Sequence, residues 1–253
     1  METKMKRTYL AFGAMVFAMG ISQAGAESLL PAESIPGEFS ASVAIGSDYV
    51  FRGVSQTVND SPAVQGSLDY SVDSFAEGIG IYAGVWGSNV QFGTDDGSIE
   101  LDWYGGLTGD ASGIAPDPIS WDIGFVYFHY PDSPDSSNLD YWEGNISLGY
   151  DLGPYSLSAG LAMSPDFTGE TGDSAYLNLG VEVPLKIPFA GLTAGGYWGT
   201  QWVDESDDYS DVKLALSADV LGFDAELAFH DTIGHEDGDT SDARVVIMVG
   251  RSF

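Results

Sequence analysis

Apolar and polar residues alternate along most of the chain. In 98–108, for example, Ile99, Leu101 and Trp103 are separated by polar residues. A period of two is typical of a β-strand whose two faces meet different surroundings. Stretches bounded by Gly, Pro, Asp and Ser repeat this pattern, and we predict twelve strands at 39–52, 62–71, 79–90, 98–108, 119–130, 139–150, 155–163, 174–183, 192–202, 209–220, 223–230 and 243–253.

The connections between these strands alternate in character. One set contains 18 Asp or Glu and no Lys or Arg, and it consists of 53–61, 91–98, 131–140, 164–173, 203–210 and 231–242. The other set is mostly shorter and contains five acids and one Lys: 72–78, 109–118, 151–154, 184–191 and 221–222. Because successive antiparallel strands place alternate connections at opposite ends of a sheet, one end should carry long acidic loops and the other short turns.

Three all-β architectures fit alternating strands. A soluble lipocalin-like barrel needs about eight strands, and a β-sandwich does not require loops of different length at its two ends. A transmembrane antiparallel up-and-down β-barrel has an even number of strands, long loops at one end and short turns at the other. The chain also ends in a β-like run that closes on the aromatic Phe253, although Arg251 replaces the usual apolar residue. We therefore predict a transmembrane barrel of about 12 strands.

Composition and charge narrow the possible functions. The chain has 253 residues, a formal charge of −30, 33 glycines and no cysteine. Such an excess of acids excludes nucleic-acid binding, and the missing cysteines exclude disulfides, thiolate metal sites and cysteine nucleophiles. No apolar run beyond the N-terminal region reaches the ~20 residues of a membrane-spanning helix.

The N-terminal residues predict export. Lys4, Lys6 and Arg7 precede an apolar stretch, and small residues follow up to Ala26. This is the pattern of a secretory signal peptide. We expect 1–26 to be the cleaved signal peptide, 27–38 a short periplasmic segment, and 39–253 the barrel, located in the cell outer membrane of a Gram-negative bacterium.

Strand parity assigns side chains to the lumen or to the lipid. Thirteen charged residues fall on the polar faces as predicted pore-lining residues: Arg52, Asp69, Glu100, Asp102, Asp122, Glu143, Glu182, Asp211, Lys213, Asp219, Asp224, Glu226 and Arg244. Ten acids against three bases predict a lumen that concentrates cations. The alternative is that these groups form ion pairs and hydrogen bonds that plug the barrel, since twelve strands lie between packed and open barrels.

Other candidate sites are weaker. Arg52 is interpreted either as a charge that orients solutes at a constriction or, preferentially, as the partner of a lumenal carboxylate. His230 and His235 adjoin acids but match no metal-site spacing, so no metal and no other cofactor are expected. Aromatic residues near the strand ends are interpreted as interface girdles, with a sugar-stacking track inside the lumen as the less favoured alternative. They include Trp86, Trp121, Trp142, Trp198, Trp202, Tyr130, Tyr155 and Phe253.

Several blocks resemble a known family. They are Ser47-Asp-Tyr-Val-Phe-Arg-Gly-Val-Ser-Gln56, Tyr82-Ala-Gly-Val-Trp-Gly-Ser-Asn-Val90, Glu100-Leu-Asp-Trp-Tyr-Gly105, Tyr130-Pro131, Tyr141-Trp-Glu143 and Ser164-Pro-Asp-Phe167. They resemble the blocks of the TorF-like porins, also known as Gcw-type conserved hypothetical outer-membrane proteins. The resemblance covers nearly the whole mature chain and implies an outer-membrane protein with channel activity.

The predicted function is a porin-like channel for passive diffusion of small, cationic or neutral solutes. Two alternatives stay open: a closed structural or surface-interaction barrel and, less favoured, an outer-membrane enzyme. Expected partners are outer-membrane lipids, lipopolysaccharide, small solutes, and the barrel-assembly machinery, which would recognise the C-terminal strand ending at Phe253.

Overall fold

The computed structural model describes residues 36–57, 61–76, 78–92, 97–111, 119–134, 138–187, 190–235 and 238–253. The predicted signal peptide, 1–26, and most of the predicted segment 27–38 lie outside these residues. In the described part of the chain no helix is long and apolar enough to cross a membrane.

Twelve described strands close into an antiparallel barrel, which confirms the predicted fold. They are β1 (Glu38–Gly46), β4 (Ala63–Ala76), β5 (Ile79–Asn89), β6 (Ile99–Ala111), β7 (Ile119–His129), β8 (Tyr141–Asp151), β9 (Ser156–Ser164), β10 (Ser174–Ile187), β11 (Ala190–Val203), β12 (Tyr209–Val220), β13 (Phe223–Ile233) and β14 (Arg244–Ser252). Two further strands, β2 (Val50–Phe51) and β3 (Val54–Ser55), form a separate two-stranded sheet.

Strand order follows the chain, and β1 closes the ring by pairing with β14 and β4. The backbones of Ala41 and Phe253 exchange two hydrogen bonds, so the N-terminal strand and the last residue meet at one end of the barrel. We call this the terminal end. The opposite end, which Gly46 and Tyr141 border, is the loop end. Closure leaves no strand edge, which a barrel surrounded by lipid requires because unpaired backbone groups there have no water to bind.

The outer wall is apolar. Large side chains of this face keep about half of their surface exposed, as in Leu214 (64%), Val245 (62%) and Leu68 (60%). The strand neighbours of Leu214 and Leu68 on the other face are polar or small, namely Lys213, Ala215, Ser67 and Asp69, as the alternation of the sequence predicts. This is the arrangement of a barrel whose outer face contacts hydrocarbon.

Glycines on the inner wall make room for tyrosines. Gly84 faces Tyr104 across the β5–β6 ladder, and a Cβ on Gly84 would lie 2.6 Å from the Tyr104 ring. Similarly, the Tyr176 hydroxyl occupies the position where Gly199 would carry a side chain. The unusual glycine content therefore serves close packing inside the barrel.

Three strand boundaries differ from the prediction by four residues or more. β1 ends at Gly46 instead of continuing to residue 52, whereas β4 continues to Ala76 and β10 to Ile187. Much of the predicted connections 72–78 and 184–191 is consequently strand. Pro184 makes β10 look shorter in sequence, but it lies beyond the last pairing with β9, Glu182 with Ser156, where proline costs no ladder bond on that side.

Candidate functional site

The inner wall carries twelve of the thirteen charged residues selected by parity. Register places their side chains on one continuous face with residues such as Ser42, Trp86 and Tyr176. The twelve are Asp69, Glu100, Asp102, Asp122, Glu143, Glu182, Asp211, Lys213, Asp219, Asp224, Glu226 and Arg244. Their part in conduction stays a prediction.

Arg52 is the exception. It does not lie on the first strand, as the predicted segment 39–52 required. Arg52 and Gly53 form the tip between β2 and β3, with φ values of 47° and 82° that no strand allows. We call residues 47–57 the lumen hairpin, because its side chains contact the inner wall on several sides.

Asp48 organises the base of the lumen hairpin. Its Oδ1 accepts hydrogen bonds from Ser55 Oγ at 2.8 Å and Thr57 Oγ1 at 2.7 Å. The Tyr49 amide donates to Thr57 Oγ1 at 3.0 Å, and the Gln56 amide donates to the Tyr49 carbonyl. Short polar side chains that bind nearby groups favour a turn over a continued strand. These local bonds explain why β1 ends early although Tyr49-Val-Phe51 has strand-like composition.

At the tip, the Arg52 guanidinium is held by two strands at once. Nη2 lies 2.6 Å from Glu143 Oε2 on β8, and Nη1 donates to Gln201 Oε1 on β11 at 2.7 Å. The guanidinium also lies over the Tyr176 ring, 4.4 Å from its centroid. Only 4% of Arg52 is exposed. Burial lowers the pKa of Arg52, but the Glu143 carboxylate outweighs this and raises it above its ordinary value, so the tip stays charged.

Aromatic rings fix one side of the lumen hairpin. Tyr49 meets Trp86 edge-on with ring centroids 5.3 Å apart, and its hydroxyl donates to Glu100 Oε1 at 2.8 Å. Phe51 packs against Phe128, whose ring stacks on that of Tyr141. Trp86 is therefore a buried inward residue, and its interpretation as part of an interface girdle was wrong.

The other side of the lumen hairpin reaches β12 to β14. A Cβ on Gly53 would collide with Thr232 Cγ2 and lie 2.7 Å from Asp211 Cβ. Asp48 Oδ2 accepts from Arg244 Nη1 on β14 at 2.8 Å. The hairpin thus follows β1, contacts β5 to β8 on one side, and contacts β10 to β14 on the other. It crosses the lumen at the loop end.

Burial of the inner wall changes along the barrel. Four acids within the first four residues of strands that begin at the loop end are almost fully buried: Glu100, Asp102, Glu143 and Asp211. Asp122, further from that end, is buried too. Asp69, Glu182, Asp224 and Glu226 are half-buried, and Asp219 is exposed at the terminal end. Water therefore reaches the inner wall from the terminal end more readily than from the end that the hairpin covers.

Several buried polar atoms lack hydrogen-bond partners among the described residues. Both carboxylate oxygens of Asp102 are in this state, together with Asp211 Oδ2, Asp122 Oδ2 and Arg52 Nε. Asp102 is 0% exposed. An ionised carboxylate in such surroundings is costly unless a cation or water approaches it.

Lys213 forms an ion pair, and His230 lies between two basic residues. Lys213 Nζ lies 2.8 Å from Glu226 Oε1. His230 is buried directly opposite Lys213 in one ladder and Arg244 in the other. Within the described ranges, no group of three or more His, Asp or Glu is placed to hold a metal ion.

The lumen hairpin itself was missed by sequence reasoning. The signal was present in Asp48, Ser55 and Thr57, polar residues that flank Arg52-Gly53 at turn-compatible spacing. The sequence does not show which residues the tip contacts, because the partners of Arg52, Glu143 and Gln201, lie 91 and 149 positions away.

Solved structures share the barrel fold. The chain aligns with the COG4313 outer membrane channel from Pseudomonas putida F1 (TM-score 0.51, 9% identity, 89% of this chain and 100% of that one). It also aligns with the KdgM porin (TM-score 0.47, 13% identity, 85% of this chain and 99% of that one). A third alignment is with LpxR from Salmonella typhimurium (TM-score 0.44, 10% identity, 85% of this chain and 99% of that one). Of these three scores the first alone exceeds 0.5, and at 9% identity it shows a shared fold, that of an outer-membrane barrel. A comparison with curated proteins finds no match.

A family profile described as "Bacterial protein of unknown function (Gcw_chp)" matches residues 31–253. The match spans all the blocks quoted from the sequence, including the lumen hairpin, and it confirms the Gcw-type resemblance. The porin name attached to that resemblance stays a prediction. The chain belongs to the Gcw_chp family.

Proposed function

We propose that the protein is a passive, cation-preferring outer-membrane channel for small solutes, with the lumen hairpin as a plug at its outer end. The observation that carries the proposal is the charge of the inner wall, where the ten acids selected by parity outnumber Lys213, Arg244 and the Arg52 tip. Register places Glu38, Asp110, Asp151 and Lys186 on the same face near the terminal end, so acids remain in excess there. The apolar outer wall and the closed ring support the membrane location.

Ion pairs neutralise Lys213, Arg244 and Arg52 but leave several of the described inner-wall acids without a basic partner. Lys213 and Arg244 pair with Glu226 and Asp48, and Arg52 pairs with Glu143. Within the part of the chain that the structure describes, Asp102 and Asp122 have carboxylate oxygens without hydrogen-bond partners. Fixed negative charge in a low-dielectric wall attracts cations and repels anions. The proposal assigns no catalytic step to the chain.

A closed barrel is the second candidate, and the burial at the loop end favours it. Asp102, Gln201 and Asp211 are each 0% exposed, as side chains in a close-packed protein interior are. In that case the hairpin is a permanent structural element rather than a plug that moves. The proposed partners are then the same: outer-membrane lipid, lipopolysaccharide and the assembly machinery that would recognise the strand ending at Phe253.

Planar-bilayer conductance separates the two candidates. We expect wild-type protein to show brief openings, and a variant with Arg52→Ala to be open for a larger fraction of time. The reversal potential in a KCl gradient should have the sign of a cation-selective pore. A wild type and an Arg52→Ala variant that are both silent, although folded, would favour the closed barrel. Anion selectivity would overturn the proposed mechanism.

A further inference from the structure

We propose that the cage around the Arg52 guanidinium is a binding site for solutes that carry a guanidinium group, which compete with Arg52 and release the lumen hairpin. This inference rests on the proposed function for its role in transport. The binding itself depends only on the cage. Arg52 is then an internal occupant of a solute site, provided by the chain when no solute is present.

The cage has the parts that select a guanidinium. Glu143 and Gln201 accept from two different terminal nitrogens, at 2.6 and 2.7 Å, and therefore fix the plane of the group. The Tyr176 ring covers its face at 4.4 Å. A planar fork with a stackable face fits two acceptors and a ring better than a compact ammonium does. Glu143, Gln201 and Tyr176 belong to β8, β11 and β10, so the cage persists when the hairpin leaves.

The cage does not satisfy Arg52 completely. Its Nε is buried and has no hydrogen-bond partner among the described residues. Its backbone has φ 47°, a left-handed conformation that is unfavourable for a residue with a side chain. A free guanidinium carries neither the backbone constraint nor a fixed Nε direction. Arg52 has the higher effective concentration because it is attached to the barrel. A free guanidinium solute can compete with it because its binding involves neither the backbone strain nor the unpaired Nε.

Removing Arg52 leaves the Glu143 carboxylate buried without a cation. Glu143 loses its partner, and both oxygens of Asp102, another buried inner-wall acid, lack a hydrogen-bond partner among the described residues. Lys213 is paired with Glu226, and Arg244 lies on β14, which pairs with none of the three cage strands. The vacated cage consequently demands a cation. It should bind a guanidinium solute without a carboxylate, such as agmatine, better than arginine, whose carboxylate the wall repels.

The first experiment measures binding without any conduction. Purified Arg52→Ala barrel in detergent is heated with guanidinium chloride at low millimolar concentration, and unfolding is followed by the shift in SDS mobility, against KCl at equal ionic strength. We expect guanidinium to raise the unfolding temperature of Arg52→Ala. Adding Glu143→Gln should raise, at least about tenfold, the guanidinium concentration that gives half of this stabilisation. Glu182→Gln, which neutralises another inner-wall acid, should leave that concentration unchanged.

Arg52→Met, which retains the stem of the side chain against Tyr176, replaces Arg52→Ala if that variant does not fold. No stabilisation beyond that of KCl, or equal loss with Glu143→Gln and Glu182→Gln, would overturn the guanidinium site. The result would be the same whether or not the barrel conducts.

The second experiment tests release of the hairpin in the wild-type protein. Tyr49 and Phe51 are chymotrypsin sites inside the lumen hairpin. We expect agmatine to accelerate cleavage after Phe51 several-fold, arginine less, and putrescine, an amine of similar length without the fork, least. Equal acceleration by agmatine and putrescine would overturn guanidinium selection. Accelerated cleavage with no change in bilayer conductance would retain the site and overturn the channel.

Discussion

Arg52 Nη2 and Glu143 Oε2 lie 2.6 Å apart although 91 positions separate the two residues in the chain. Both side chains are nearly fully buried, with exposed fractions of 2% and 5%. This contact joins the tip of the lumen hairpin to β8. A buried pair of this kind contributes little in comparison with an apolar pair, but loss of one partner leaves an uncompensated charge.

Arg52→Ala should therefore destabilise the closed hairpin by about 3–5 kcal/mol, the cost of leaving the other member of a buried pair alone. Arg52→Ala together with Glu143→Gln should cost less than Arg52→Ala alone, because the second change removes the stranded charge. Urea-induced exposure of the hairpin, followed by chymotrypsin cleavage after Phe51, measures both variants. Equal costs for the single and the double variant would contradict this account.

Much of the barrel was predictable, for a simple reason. A strand between lipid and lumen has two different faces, and residues such as Leu101 and Asp102 record the difference in every second position. The parity that places Asp102 on the inner wall also places Glu143 and Asp211 there, so the composition of the wall follows from the sequence. The contacts between these residues do not follow from the sequence, because parity shows which face a side chain occupies but not its level along the barrel axis.

The lumen hairpin illustrates the limit. Tyr49-Val-Phe51 has the composition of a strand, and the polar residues Ser55 and Thr57, which both bind Asp48, indicate a turn without showing what its tip contacts. Trp86 shows the same limit: a tryptophan on a barrel strand resembles an interface anchor until Tyr49 is found against it. In both cases the packing of the side chain depends on a residue far away in the sequence.

Gly53→Ala should displace the hairpin tip. A Cβ at this position would collide with Thr232 and approach Asp211, and φ is 82°. Gly222→Ala is the matched control, since Gly222 has φ 81° and nothing within 4 Å of the added Cβ. Both variants carry the same backbone strain. The collision should cost Gly53→Ala about 1–3 kcal/mol more, or about five- to 150-fold faster chymotrypsin cleavage after Phe51. Equal cleavage rates would show that the tip does not fit tightly.

The rim of the barrel should respond to acid. Asp132 accepts from Ser98 Oγ and from the Ser98 amide, and these bonds lower its pKa below 3.8. Burial raises the pKa of Asp140, but hydrogen bonds from the Tyr130 amide, His129 and Tyr127 outweigh it and lower the pKa. Because each carboxyl titrates lower when folded, its stabilising effect is complete above pH 3.8 and declines as pH falls below that value.

Carboxyl NMR titration in detergent measures these two pKa values directly, and the Tyr130 amide should shift with Asp140 as the acid form appears. Asp140→Asn removes the titrating group, so the Tyr130 amide should then lose this dependence on pH. A midpoint above 3.8 for either carboxyl would contradict the bonding at the rim.

The orientation of the barrel can be tested on intact cells. Connections at the loop end, such as 203–210 and 231–242, are long and acidic, whereas 151–154 is a tight turn in which the Gly153 amide binds Asp151. Short turns and both chain ends face the periplasm in outer-membrane barrels. External proteinase K should therefore cut 203–210 or 231–242 and spare 151–154. Cleavage restricted to 151–154 would reverse the topology.

Ion selectivity should depend on the inner wall more than on the loops. The combined changes Glu100→Gln, Asp102→Asn and Asp122→Asn remove three buried inner-wall carboxylates. Each carboxylate attracts a cation 8 Å away by about 2 kcal/mol at an effective dielectric constant of ~20, so their removal should lower the cation-to-anion permeability ratio at least about tenfold. The measurement is the reversal potential across a KCl gradient in the Arg52→Ala background, where the tip no longer blocks the path.

Neutralising three exposed loop acids, Glu205, Asp207 and Asp208, provides the matched control. Their charge is screened over ~8 Å at physiological salt, so this variant should differ from its parent only in dilute KCl. The inner-wall variant should differ at every salt concentration, because solvent-shielded carboxylates are screened far less. If the loop variant changed the reversal potential in concentrated KCl while the inner-wall variant left it unchanged, selectivity would arise at the mouth, and the ten inner-wall acids would be structural.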